Sequence, residues 1–387
     1  MKILYHHRIA SKDGQYVHVE EMIQAFIKNG QQVITVEPAF VKKSSFGSEG
    51  GFVQVLKLIV PGFFYELLEF TYSLVAFRRM YKVMMKNKCD FLYERYNLFM
   101  PAGVWIKKKF KVPMLVEVNA PLYEERKKYN GIAIDWLARW SESYVWKNAD
   151  YVLPVTNVLA KKLRDAGVDK DRIVVIPNSI NQSRFDSVIS IDKAKTALNL
   201  KNKFVLGFVG FVRDWHGLER VIDFIVDNPQ RNIVLLLVGD GPARESLERR
   251  ATDFGVRSQL HITGIVQRDQ VANFIAAFDI ALQPAVAEYA CPLKIYEYMA
   301  MGKAIIAPAS ENILEILRDN VTALLFDSRD NKAFKTTLQR LCDDDALQKR
   351  LGNNAFNKLK KKNITWESNA KRIVGLYKNL RSSQDHA

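Results

Sequence analysis

The sequence has no run of eighteen apolar residues free of charge. Its nearest approach, residues 58–77, is interrupted by Pro61, Glu66 and Glu69, which argues against a membrane-spanning helix there. The opening MKILYHH lacks the basic and then apolar pattern of a secretion signal, so a cytoplasmic protein is expected. Cysteine is scarce: Cys89, Cys291 and Cys342 lie far apart, fit no metal-ligand spacing and suit a reducing compartment. No glycine-rich loop ends in Gly-Lys-Ser/Thr, and GDGPAR at 239–244 lacks the third glycine of a dinucleotide fingerprint. Those two absences remove the usual signatures of ATP-cradling and nicotinamide chemistry. Internal repeats and low-complexity tracts are missing too.

Acidic residues are in the minority. Lys and Arg together number 57 against 42 Asp and Glu, a formal net charge of +15. Within residues 78–111, ten basic side chains accompany only Asp90 and Glu94. Such a window is either a solvated helix face or a surface that attracts an anionic membrane or a charged acceptor. No nucleic-acid motif accompanies it, so nucleic acid is not expected as a partner. Residues 51–88 add eight aromatics from Phe52 to Tyr81, with Arg78, Arg79 and Lys82 beside them. They either fill a core or form an amphipathic surface at the inner face of a membrane.

What is present in quantity is alternation. At 387 residues and 48% hydrophobic content, the chain has room for two folded domains. Strand-like runs near residues 2, 32, 90, 113, 151 and 173, and again near 203, 233, 260, 280, 303 and 323, are separated by helical segments. This pattern means parallel sheets covered by helices, here two doubly wound domains facing each other across a cleft. The expected division is 1–188, completed by a helix over 366–382, and 189–365, with the polar run 181–203 as the seam. Val19, Met22, Ile23, Phe26 and Ile27 share one face of a predicted helix that Gly30 stops. Ligands of open α/β sheets bind beyond the carboxyl ends of the strands, so the cleft is the expected active site.

The most specific stretch is residues 289–308, YACPLKIYEYMAMGKAIIAP. Pro292 suits the first position of a helix and Gly302 its left-handed end. Leu293, Tyr296, Met299 and Ala300 follow helical spacing and should bury one face. Lys294 and Glu297, three apart, point the same way from its first turns. Free N–H groups at a helix start, together with a lysine, suit a diphosphate; a carboxylate one turn deeper suits sugar hydroxyls. Three glycine turns precede this helix: GFVRDWHG at 210–217, GDGP at 239–242 and ITGIV at 262–266.

In this order, and joined by DGQYVHVEEM at 13–22, VIPNSINQSRF at 175–185 and TWE at 365–367, these pieces resemble a family-four retaining glycosyltransferase of the GT-B fold. EVNAPLYEER and PLKIYEYMAMGK resemble the enzymes that build bacterial surface polysaccharides. The resemblance implies a nucleoside-diphosphate sugar as donor, a glycan or lipid-linked acceptor, and no cofactor. On it, Arg213 and Lys294 would oppose the charge of the leaving diphosphate, aided by N–H groups around Leu293, with Pro292 beside the donor. Glu297 would hold the ribose, and Gly264 and Ile265 would meet the base. Gly14 would lie near the scissile bond, Gly241 beside the donor, and His18 and Glu117 on the acceptor side.

Three positions depart from the family pattern. His216 stands where a second lysine is frequent, so its charge depends on its environment. Tyr289 stands, on the donor side, where the pattern has its first glutamate; either the adjacent Glu288 shifts into place, or backbone groups of Ala290, Cys291, Pro292 and Leu293 hold the donor sugar's hydroxyls. Asn119 stands where an acceptor-side histidine is expected; it can bond a hydroxyl but cannot act as a base. These departures leave a second reading, a non-catalytic scaffold or binding subunit of a glycan-assembly complex. Asp343, Asp344 and Asp345 look like a DxD metal motif, but between two helical segments they are expected to cap a helix, and no metal is expected.

Overall fold

In a computed structural model, residues 1–9, 14–38, 60–129, 131–186 and 189–385 are described. Strand and helix alternate as the periodicity requires, in two compact units. The first comprises Met1–Asn178, Tyr289–Cys291 and Trp366–Ala387; the second comprises Ser179–Glu288 and Pro292–Thr365.

The first unit runs β1 (Lys2–His6), α1 (Gly14–Lys28), β2 (Gln32–Val36), α2 (Gly62–Asn87), β3 (Phe91–Arg95), α3 (Ala102–Phe110), β4 (Met114–Val118), α4 (Leu122–Tyr129), α5 (Asp135–Asn148), β5 (Tyr151–Pro154) and α6 (Asn157–Asp165). Its sheet has the order β2-β1-β3-β4-β5, with every pair parallel. β3 and β4 are buried along their whole length, so they read as continuous apolar runs broken only by chemistry-bearing residues. The final helix of the chain, Trp366–Asp385, also belongs to this unit. Trp366 meets His18 edge-on at 4.7 Å, Tyr377 stacks on Phe91 at 4.8 Å, and Asn29 Nδ2 donates to the Glu367 carbonyl at 2.8 Å.

The second unit runs α7 (Ile191–Ala197), β6 (Phe204–Val209), α8 (Glu219–Val226), β7 (Ile233–Val238), α9 (Arg244–Asp253), β8 (Leu260–Ile262), α10 (Val271–Ala276), β9 (Ile280–Leu282), α11 (Leu293–Ala300), β10 (Ala304–Pro308), α12 (Glu311–Ile316), β11 (Leu324–Phe326), α13 (Asn331–Cys342) and α14 (Asp345–Lys361); the Trp366–Asp385 helix is therefore α15. The strand order is β11-β10-β9-β6-β7-β8, again parallel throughout. Strand order reverses between β6 and β9 here, and between β1 and β3 in the first unit. At such points the loops leaving neighbouring strands diverge and open a crevice.

Some expectations need correction. The run near 173 is no strand: it touches β5 by one parallel bridge, Val152 to Ile173, with Val174 and Ile176 donating to β5 carbonyls. Pro154 has no N–H to return such a bond, so the ladder stops. Ile27 is exposed, and Ala25 takes its place beside Val19, Met22 and Phe26 on the buried face of α1. Pro292 sits just before the first turn of α11 instead of within it. The aspartate triplet does cap: Asp344 accepts from the Leu347 N–H at 2.8 Å, while Asp343 ends α13 and pairs with Arg231. Ala10–Asp13 and the whole of the 39–59 run, Phe52 included, lie outside the described residues. Among the described residues no helix is long and apolar enough to cross a membrane.

Candidate functional site

Helix α11 is nearly all core. Ile295, Tyr296, Tyr298, Met299 and Ala300 are buried, which leaves Leu293, Lys294 and Glu297 half-buried on its remaining face. Its end is a two-bond glycine cap: Gly302, at φ +60°, donates to the Met299 carbonyl at 3.1 Å and Lys303 to that of Tyr298 at 3.0 Å. Tyr298 places the helix against the sheet at the strand-order reversal. Its hydroxyl accepts from the Val209 N–H at 3.0 Å and lies 3.4 Å from the Leu282 carbonyl, tying α11 to the carboxyl ends of β6 and β9.

This anchoring delivers Lys294 to the end of β6. Its ammonium lies 3.7 Å from the centroid of the Phe208 ring and against Gly210. No hydrogen-bond acceptor among the described residues reaches it. Burial pulls the Lys294 pKa down to about 7, with Glu297 pulling the other way. The His216 ring also meets Phe208, edge-on at 5.0 Å between centroids. Burial, then Lys294 and Arg213, hold the imidazole pKa down at about 2, so His216 is neutral. Its Nδ1 accepts from the Arg213 N–H at 3.1 Å, which places the ring proton on Nε2 and makes that nitrogen a donor. The Arg213 guanidinium is held between Phe211 and Trp215, 4.9 and 4.8 Å from their centroids.

The glycine turns brace this corner. Val212 donates to the Asp240 carbonyl at 2.8 Å, and Gly239 bridges Gly264 while donating to Thr263 Oγ1 at 3.2 Å. A side chain at Gly239, where φ is +137°, would fall 2.2 Å from the Gly210 carbonyl oxygen; one at Gly241 would fall 2.1 Å from that of Val212. Only glycine lets those turns touch. Ile265 is exposed beyond them. Glu288 is exposed as well.

Residues 289–291 pack within the first unit, where the carbonyls of Tyr289 and Cys291 are engaged. Tyr289 O accepts from Thr156 Oγ1 at 3.1 Å and Cys291 O from Asn178 Nδ2 at 2.5 Å. The Tyr289 phenol, raised by burial and by its hydrogen bond to Glu125, stays protonated.

The first unit gathers a different cluster at the end of β4. Glu117 is buried and accepts from four donors: Arg95 Nη1 at 2.9 Å and Asn119 Nδ2 on one oxygen, Tyr93 Oη at 2.6 Å and His18 Nε2 at 2.9 Å on the other. Burial by itself would raise this carboxyl, but His18, Arg95 and Tyr93 outweigh it and hold its pKa far below the carboxylate range. All its lone pairs are taken. Asn119 donates to Glu117 through Nδ2, and its amide oxygen can only accept. Gly14 opens α1 one turn before His18.

Two family models match the chain, "Glycosyltransferase Family 4" over residues 12–184 and "Glycosyl transferases group 1" over 190–358. The chain belongs to glycosyltransferase family four. An uncharacterized glycosyltransferase of Methanocaldococcus jannaschii is 24% identical over 79% of this chain and 79% of its own length. The lipopolysaccharide core biosynthesis glycosyltransferase LpsE of Rhizobium meliloti is 28% identical over 53% of this chain and 58% of its own. Among solved structures, Anabaena HepE in complex with UDP superposes with a TM-score of 0.76 at 16% identity, covering 99% of this chain and all of that one. Sucrose-phosphate synthase from Thermosynechococcus elongatus gives 0.79 at 18%, with the same coverage. The fold of this glycosyltransferase is therefore GT-B.

In this family-four chain the structure brings Arg213, His216, Lys294 and Glu297 together around the start of α11, and His18, Glu117 and Asn119 around the end of β4. Four residues of these sites escaped the sequence reading. Phe208 and Tyr298 read as ordinary core. Tyr93 and Arg95, two apart in DFLYERY, share one strand face, and Arg95 pairs in register with Glu117; that spacing was the available signal, but it needed the pairing to become meaningful.

Proposed function

We propose that the protein is a retaining, metal-independent glycosyltransferase that moves a sugar from a nucleoside-diphosphate sugar to a hydroxyl of a glycan or lipid-linked acceptor, in surface-polysaccharide or related glycoconjugate synthesis. One observation carries this reading: a lysine with no acceptor among the described residues stands at a helix start, with an arginine and a neutral histidine donor in the same corner, where strand order reverses. Such a corner suits a group with two negative phosphates. UDP occupies the Anabaena HepE structure, and the name of the Rhizobium relative places that protein in lipopolysaccharide core synthesis; both favour the same chemistry here.

In the proposed reaction the bond from the anomeric carbon to the diphosphate oxygen breaks and a bond to the acceptor oxygen forms on the same face. The acceptor's proton passes to the leaving phosphate oxygen. No side-chain base is needed, which accommodates Asn119: with Nδ2 given to Glu117, its amide oxygen would accept from the acceptor hydroxyl and orient it. Lys294 and Arg213 meet charge that grows as the bond breaks, so they favour the transition state over bound donor. His216 adds a neutral N–H from Nε2. Glu117 holds His18 and Asn119 in place instead of touching the acceptor.

The test begins with UDP, GDP, ADP and dTDP in thermal shift, since a ligand that binds only the folded state raises its melting temperature. The matching nucleotide sugar should then be hydrolysed slowly without acceptor, release a sugar of unchanged anomeric configuration, and do so equally in EDTA. Binding without any turnover would make the chain a donor-binding subunit. Loss of activity in EDTA that manganese restores would end the metal-independent reading.

A further inference from the structure

Helix α2 has two apolar faces. Tyr65, Ser73, Ala76, Met80 and Met84 are buried, as a core-packing helix requires. The opposite side is also apolar over its first half: Phe63 and Phe64 are 52% and 57% exposed, Leu68 52%, Leu74 54% and Val75 47%. Positions 64, 68, 71, 75, 78, 82 and 86 follow one another at helical spacing, so this outer stripe is continuous. It changes character along its length, passing from Phe64, Leu68 and Val75 to the exposed Arg78, Lys82 and Lys86.

The start of α5 extends the apolar end. Ala133 and Ile134 donate their N–H groups to the buried Glu66 of α2 at 3.0 and 2.7 Å, and Phe70 meets Trp140 at 6.0 Å. This brings in Trp136, 71% exposed, and Trp140, 42% exposed. The basic end is extended by exposed Lys108 and Lys109 of α3, which packs on α2 through Trp105 against Phe77 and Phe110 against Tyr81. Nearby carboxylates do not offset these bases. Glu69 is engaged by Arg8 and Arg126, and Asp135 by Lys127 and Arg139.

We propose that the outer face of α2, with Trp136 and Trp140 beside it, docks the protein on an anionic bilayer surface. Phe63, Phe64, Leu67, Leu68 and the two tryptophans would enter the headgroup boundary, while Arg78, Lys82, Lys86, Lys108 and Lys109 face acidic headgroups. Exposed apolar area of this extent marks an interaction surface. A second copy of the chain fits it poorly, because a symmetric contact repeats the same patch and would set these bases against themselves. This inference does not depend on which sugar is moved, or on turnover at all.

Co-sedimentation of the full chain with phosphatidylcholine vesicles, with and without phosphatidylglycerol, tests it. The chain should bind the anionic vesicles and largely ignore the neutral ones. Phe64→Ser with Leu68→Ser should weaken binding on the order of tenfold or more. Lys82→Glu with Lys86→Glu should weaken it too and flatten its salt dependence. Leu314→Ser, a change at an exposed apolar residue of α12 in the second unit, should bind like the parent. Because all these positions are exposed, each variant should melt with the parent. Indifference of the parent to anionic vesicles, or equal binding by parent and Phe64/Leu68 variant, would overturn the proposal. A concentration-dependent dimer that the Phe64/Leu68 variant abolishes would overturn it in favour of a second copy.

Discussion

The ends of β4 and β6 are built on opposite electrostatic plans. At β4 a carboxylate is surrounded by Arg95, His18, Tyr93 and Asn119 until no lone pair is left. At β6 an ammonium is set over an aromatic ring with no acceptor among the described residues, and its histidine neighbour is kept neutral. The first arrangement is complete within the described residues; the second leaves its ammonium open, and it is there that the proposed diphosphate would bind. A carboxylate with four donors acts as scaffolding, whereas the proposed donor corner offers charge to a ligand.

Breaking each cluster in turn should show this difference most sharply in stability. Glu117→Ala leaves Arg95 buried without its partner and should destabilise the protein by about 3–5 kcal/mol, measured by denaturant unfolding. Because the Glu117 pKa is depressed by folding, the stability it contributes is present above the ordinary carboxylate pKa and is lost as pH falls below it. Lys294→Met should do the reverse. It should leave stability equal or raise the melting temperature by roughly 2–4 °C, while lowering turnover of the nucleotide sugar about 10²- to 10³-fold. A Lys294→Met enzyme of parental rate would show that the donor corner has been misassigned.

Acidity separates the clusters next. With the Lys294 pKa pulled down to about 7 in the empty site, a bound diphosphate should raise it again. Affinity for the nucleotide sugar should then be flat below pH 7 and fall above it, by at most about tenfold per pH unit. Calorimetry across pH 6 to 9 checks this, and Lys294→Met should remove the slope. The smallest effect expected is at Asn119. Asn119→Ala should raise the KM for acceptor by about tenfold, consistent with one lost hydrogen bond to a substrate, and leave acceptor-free hydrolysis of the donor unchanged. A parallel loss of both activities would move Asn119 out of its acceptor-orienting role.

The outline of the donor corner was legible because its signals are local. Pro292 and Gly302 bracket α11, and spacing places Lys294 and Glu297 on one side of it. The three glycine turns could be read one by one, but not the contact of Gly239 with the Gly210 backbone, which joins residues far apart in sequence. Phe208 looked like any strand aromatic, and nothing local set the protonation of His216. Spacing could not foresee the four donors of Glu117, since Tyr93, Arg95 and His18 come from other elements. For α2, aromatic content was plain, yet apolar residues fall on both sides of the helix, so periodicity alone could not say which side met the core.

The amino-acid sequence determined what travels with short-range geometry: the alternation of strands and helices, the parallel sheets it implies, the capped helix carrying Lys294, and the surplus of positive charge. Tertiary structure decided what depends on burial and on neighbours distant in the chain. It made Glu117 a saturated support, left Lys294 with no acceptor among the described residues, neutralised His216, and turned Phe63, Phe64, Leu68 and Leu74 of α2 outward. Strand and helix periods are properties of consecutive residues, whereas desolvation and charge pairing act across space, between residues whose meeting only the packed fold specifies.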